Sequence, residues 1–202
     1  MIGSPGTKPI WGKKTLVSET MEKLSIVPKT LLEIGCSNGW RLKKLQEKYD
    51  CDVYGLDPSA EAIEEAVKSG LDPKRVVLGT IDSIPAKINV FDVVILGFCM
   101  CFVAPEDWVL AVSETARVLK DGGHLIIHDY LGARAIRYAF QKVEIENGIQ
   151  YPIYLYVYDW PSLWLKHPEY KIIHEAHLRD RGRVVSVLKK NFADCFVGED
   201  VR

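Results

Sequence analysis

The 202-residue chain predicts a doubly wound α/β fold, with a seven-stranded, mostly parallel sheet that ends in an antiparallel hairpin. Three observations lead there. Short apolar runs alternate with segments of helical periodicity as far as Asp129. The first of these runs breaks into a glycine turn, Gly35 to Gly39, that opens a helix. The last two, Tyr170 to Ala176 and Arg183 to Leu188, lie too close in sequence for a crossover helix and must pair antiparallel.

Taken in order, Trp11 to Val27 holds an amphipathic helix, with Leu16, Thr20, Leu24 and Val27 on one side and Pro28 closing it. Thr30 to Ile34 is the first buried strand. After the turn, Leu42, Leu45 and Tyr49 fall at helical spacing along Trp40 to Tyr49. Asp52 to Asp57 is the second strand. Ser59 then caps a helix whose stripe is Ile63, Ala66 and Val67, and Gly70 stops it. Arg75 to Gly79 is the third strand. Phe91 to Gly97 is apolar on both faces, as a central parallel strand must be. A helix over Pro105 to Leu119 places Trp108, Val112, Ala116 and Leu119 in register. Lys120 to Gly123 turns into strand five, His124 to Asp129.

Length suits one domain, with residues 1–28 as an N-terminal arm and helix and 131–169 as an insertion. Hydrophobic content of 48% with 26% charged residues is ordinary globular usage. A net charge of -1 argues against an obligate polyanionic partner, so nucleic acid is not expected. The five cysteines are odd in number and form no C-x-x-C, which suits free thiols in a reducing cytoplasm. No run approaches the ~20 apolar residues of a membrane span. Met1 to Pro9 lacks the apolar core of a signal peptide and reads as a flexible arm.

The glycine turn does not fit a dinucleotide. That fingerprint wants glycine at the first, third and sixth positions, and here they hold Gly35, Ser37 and Trp40. The pattern is Glu33-x-Gly35-x-x-x-Gly39, which resembles motif I of the class I S-adenosylmethionine-dependent methyltransferases. Arg117-Val118-Leu119-Lys120-Asp121-Gly122-Gly123 is similar to that family's turn before strand five. The resemblance, which runs from Thr30 to Leu188, implies S-adenosyl-L-methionine as cofactor. It assigns Glu33, Gly35, Cys36, Ser37, Asn38 and Gly39 to the methionine end and Asp57, with Pro58, to the ribose. Thr80, Ile81 and Asp82 would meet the adenine, although the family often has Asp where this chain has Thr80. Gly97 completes the cofactor rim.

Ligands of such sheets bind beyond the carboxyl ends of the strands. His128 and Asp129, adjacent at the end of strand five, are therefore the candidate general bases, pointing to opposite faces. A strand-end histidine that simply packs is the competing reading. Phe98, Cys99 and Tyr130 lie on the acceptor side. Tyr154, Tyr156, Tyr158 and Trp160 lie in an aromatic stretch where the family places its substrate-selecting insertion. Those aromatics suit a flat ring or a sugar face; equally, they could roof the core or pair a homodimer. The residues after strand four, Gly97-Phe98-Cys99-Met100, are neither the Pro-Pro-aromatic signature of base-methylating enzymes nor a carboxylate set for magnesium. The expectation is a metal-independent methyl transfer to a hydroxyl, or an amine, of a small molecule. A protein or RNA methyltransferase and a non-catalytic adenosylmethionine-binding module are the alternatives.

Overall fold

The computed structural model describes residues 15–132, 136–145, 149–178 and 183–191. The N-terminal arm expected over Met1 to Pro9 lies outside them. Helix α1 (Leu16–Lys23) is held at its start by a capping box between Thr15 and Ser18. β1 (Thr30–Ile34), α2 (Trp40–Tyr49) and β2 (Asp52–Asp57) follow, then α3 (Ala60–Lys68) with Ser59 accepting from the Ala62 amide as N-cap. β3 (Val76–Leu78) and β4 (Phe91–Gly97) complete the first half.

Between β4 and the next strand the chain departs from a single long helix. Met100–Phe102 and Pro105–Asp107 form two short 3₁₀ turns, and α4 proper is Trp108–Val118. β5 (Leu119–Tyr130) begins earlier than the periodicity suggests. Leu119 pairs with Phe91, the register then shifts, and Gly122 at φ +74° carries the turn inside the strand. The strands β6 (Ile136–Ile145) and β7 (Ile149–Val157) make a separate antiparallel ribbon. Helix α5 (Pro161–Leu165) leads to β8 (Tyr170–Leu178) and β9 (Arg183–Lys190).

The seven-stranded sheet runs β3-β2-β1-β4-β5-β9-β8, with β9 antiparallel to both neighbours. Alternation along the strands sorts the core into two layers. Leu31, Val93, Ile95, Ile126, Val185 and Val187 pack beneath α1 and α2 together with Met21, Leu42 and Leu45. Leu32, Val94, Leu96, Leu125 and Ile127 face the other way, against Ala111, Val112, Trp160 and Trp164. No helix among the described residues is long and apolar enough to cross a membrane.

Candidate active site

The strand order reverses between β1 and β4, and the carboxyl ends of the strands there carry the glycine turn. Gly35 sits at φ +73° and Gly39 at φ +71°, both in the left-handed region. A β-carbon would meet Cys99 Cβ at 2.7 Å from Gly35, and Leu71 Cδ1 at 2.2 Å from Gly39. Ser37 between them is also left-handed, at φ +50°. Its amide donates to Asp57 Oδ2 at 2.8 Å, and the Ser59 amide donates to Oδ1 at 2.9 Å. The carboxylate at the end of β2 is thereby tied to the turn at the end of β1. Ser37, Asn38, Pro58 and Thr80 are exposed on this rim, and Asp82 is half-buried.

Some of the expected contacts face elsewhere. The Cys36 side chain belongs to the core under α2, and Ile81 packs its side chain into the opposite layer, so neither presents a side chain to a ligand. Burial also pushes both nearby thiols, Cys36 and Cys99, above the ordinary thiol range.

Glu33 is almost wholly buried, and its Oε1 accepts from Arg41 Nη1 at 2.6 Å. Burial raises its pKa to about 7, against the pull of the Arg41 guanidinium. Its Oε2 has no hydrogen-bond partner among the described residues. An unpartnered buried acceptor beside a left-handed glycine turn fits the ammonium end of an amino-acid-bearing nucleoside. Arg41 is the buried partner at this turn that periodicity passes over. A glutamate inside an apolar strand needs a cation, and the first turn of α2 is where one can reach it. Gly97 makes that room: a β-carbon there would meet Arg41 Nη1 at 2.1 Å.

His128 and Asp129 do point to opposite faces, but neither is disposed as a base. Asp129 is fully buried; its oxygens accept from the Cys101 amide at 3.2 Å and the Tyr130 amide at 2.7 Å. Burial lifts its pKa to about 7, yet it holds the first 3₁₀ turn in place and touches no open space. His128 is 8% exposed, under the Phe98 ring at 4.4 Å between centroids. Burial, with Arg41 and Arg183 nearby, lowers its pKa to about 3, which makes it a weak proton acceptor at neutral pH.

The acceptor-side aromatics divide. Trp160 is fully buried and donates from Nε1 to the Tyr130 carbonyl at 2.7 Å, so it is a core residue rather than a ligand contact. Tyr158 stacks on Trp108 at 5.1 Å. Tyr156 remains half-buried at a groove of about 350 Å³ lined by Pro105, Glu106, Trp108, Ile136 and Arg137. The Arg137 guanidinium lies over the Tyr154 ring at 4.3 Å.

This fold, with its glycine turn and carboxylate rim, is that of the class I S-adenosylmethionine-dependent methyltransferases. Residues 32–127 match the family model described as a methyltransferase domain, and the chain carries such a domain. It is 29% identical over 128 residues to the tRNA N(3)-cytidine methyltransferase METTL2 of Mus musculus, covering 58% of this chain and 33% of that protein. It is 25% identical over 112 residues to the tRNA N(3)-methylcytidine methyltransferase trm140 of Schizosaccharomyces pombe, covering 50% and 36%. The chain thus matches about a third of the length of these relatives. Among solved structures, a methyltransferase from Methanosarcina mazei superposes with a TM-score of 0.70 at 17% identity, over 85% of this chain and 97% of that one.

These relatives overturn the expectation drawn from net charge. Enzymes named for acting on tRNA match this domain, so a balance of -1 does not set nucleic acid aside. In a longer protein the phosphate-binding cations can lie outside the catalytic domain, and the net charge of that domain then says little about its partner.

Proposed function

We propose that this chain is an S-adenosylmethionine-dependent methyltransferase whose acceptor is an RNA base. The observation that carries the donor half is the turn whose Ser37 amide is fixed by Asp57. Glu33 and the turn hold the methionine end, Asp57 the ribose hydroxyls, and Thr80 to Asp82 the adenine. The sulfonium supplies an activated methyl group. The protein's own task is alignment, which accounts for about 7–11 kcal/mol of barrier in well-oriented reactions. The acceptor half rests on the tRNA methyltransferases that the domain resembles. The half-buried Tyr156, with Arg137 and Trp108, offers a groove of single-ring size to a base drawn out of its stack. That same groove supports a second reading, a hydroxyl or amine of a small cyclic metabolite. The free thiols Cys36, Cys51, Cys99 and Cys101 suit a reducing cytoplasm.

The test has two stages. Calorimetry with S-adenosylhomocysteine should give saturable binding that Asp57→Ala weakens about tenfold or more, the worth of hydrogen bonds to a charged group. Transfer of labelled methyl from the donor should then be compared on total tRNA and on a small-metabolite extract. Label in tRNA alone supports the RNA reading; label only in the metabolites replaces it with the second. Binding without transfer to either would make the domain a non-catalytic module.

A further inference from the structure

Across the carboxyl edge of the sheet, one face carries a row of polar side chains from successive strands. Glu33, one residue before the end of β1, is paired in register with Ile95; two residues on, Gly97 is paired with His128 of β5. Tyr130 of β5 is paired with Arg183 of β9. By strand alternation Glu33, Gly97, His128 and Arg183 all share the face of Val93, Ile95, Ile126 and Val185, beneath α2. Arg41 descends from α2 over Gly97 into that row. Phe98, left-handed at φ +58°, closes it from the solvent side, its ring against His128 and its centroid 5.8 Å from the Arg183 guanidinium carbon.

The hydrogen-bond accounts of this row do not balance. Arg41, 7% exposed, spends Nη1 on Glu33 and leaves Nε unpartnered. Arg183 Nε is likewise buried without a partner among the described residues, and so are both ring nitrogens of His128. A buried donor left unmade costs about 1–3 kcal/mol, more for a charged group, so native proteins rarely keep several together without a use for them. Glu33 is the row's carboxylate and meets Arg41 through the other side of its fork. Asp129 faces the opposite layer with its oxygens taken by backbone amides. Glu33 Oε2 is the row's one open carboxylate oxygen and goes to the donor's ammonium, which leaves Arg41 Nε, Arg183 Nε and the His128 ring for a further anion, and guanidinium edges are shaped for that.

We propose that Arg41, His128 and Arg183 form a binding site for an oxyanion of the acceptor, seated beneath the Phe98 ring beside the donor's methionine end. The inference rests on the transferase reading. On an RNA acceptor the oxyanion is the phosphate of the target nucleotide; on a small acceptor it is a carboxylate. His128 then serves as a neutral hydrogen-bond donor to the anion, not as a base. Phe98 selects acceptors that can displace or slide under its ring.

The experiment uses protein already saturated with S-adenosylhomocysteine, so that the donor's own carboxylate is in place. Failure of that first binding step would sink the transferase reading and is seen separately. Nucleoside 5′-monophosphates, inorganic phosphate and acetate are then titrated by calorimetry, with the His128 ring signals followed by NMR. Saturable binding that moves the His128 resonances is expected. Arg183→Gln should weaken it about tenfold or more, as loss of a charged hydrogen bond does, while homocysteine-product affinity stays unchanged. Arg183→Lys should recover part of the loss, and Lys189→Gln should change nothing. Binding by phosphate and the nucleotides identifies a nucleotide acceptor, and binding by acetate alone identifies a carboxylic acid. If none binds, or if Arg183→Gln binds as well as the parent, the site does not exist.

Discussion

Replacing Glu33 by alanine is the most informative single change, because the structure fixes what it leaves behind. The Arg41 guanidinium would stay 7% exposed with Nη1 newly unpartnered, beside the Nε that has no partner already. Removing one member of a buried ion pair costs about 3–5 kcal/mol. A domain of this size loses roughly 2–4 °C in Tm per kcal/mol, so the melting temperature should fall by about 6–20 °C. The measurement belongs at pH 8, since burial sets the Glu33 pKa to about 7 and the pair is fully charged only above it. Circular dichroism melts give the number. The double variant Glu33→Leu with Arg41→Met then separates stability from function. An apolar pair of similar volume should restore most of the lost stability, because the desolvation cost goes with the charges. Donor binding by calorimetry should stay weak in it. A single variant that melts within about 2 °C of the parent, below 1 kcal/mol on the scale used above, would refute the reasoning. It would show that the pair is solvated and that Oε2 is not held in reserve.

Other outcomes follow from the same geometry. Trp160→Ala should destabilise by about 3–5 kcal/mol, the cost of deleting a core aromatic, and a stable variant that loses only acceptor affinity would return Trp160 to the substrate site. Gly35→Ala should reduce both stability and donor affinity, since its β-carbon meets Cys99 and its φ of +73° disfavours a side chain, and unchanged melts and titrations would contradict this. Asp129 sets a pH dependence. Its pKa rises from 3.8 to about 7 on folding, so the folded state binds the extra proton and this stabilisation is lost as pH rises between those values. The melting temperature of the parent, taken relative to Asp129→Asn, should therefore fall from pH 4 to pH 8, and a rising difference would reverse the assignment.

The turn and carboxylate proposed to hold the donor are legible in the sequence because they are written in local chemistry. Gly35 and Gly39 occupy backbone conformations that side chains resist, Asp57 ends an apolar run, and both facts survive without knowing what packs against them. Ser59 as a cap and the antiparallel closing hairpin were legible for the same reason. What was illegible depends on neighbours remote in sequence. Trp160 and Tyr158 read alike as amphipathic aromatics, yet one enters the core under Tyr130 and the other stacks on Trp108. Asp129 reads as a base until the Cys101 amide of the 3₁₀ turn and the Tyr130 amide are seen to claim its two oxygens. Arg41 reads as one of several helix cations. Only the missing β-carbon of Gly97, on a different strand, shows why this one turns inward.

The same distinction explains why net charge alone does not set a nucleic-acid acceptor aside. Charge counted over a whole domain reports on long-range attraction, which screening confines to about 8–10 Å at ordinary salt. Recognition of a single nucleotide needs a few cations placed at one spot, and those can be offset elsewhere in the total. Here Arg41 and Arg183 stand on one face of the sheet edge, while acids such as Glu61, Glu64 and Glu65 are on the outer surface of α3. A count of -1 is therefore compatible with a locally cationic acceptor site. The relevant quantity is the field at the Phe98 rim, not the sum.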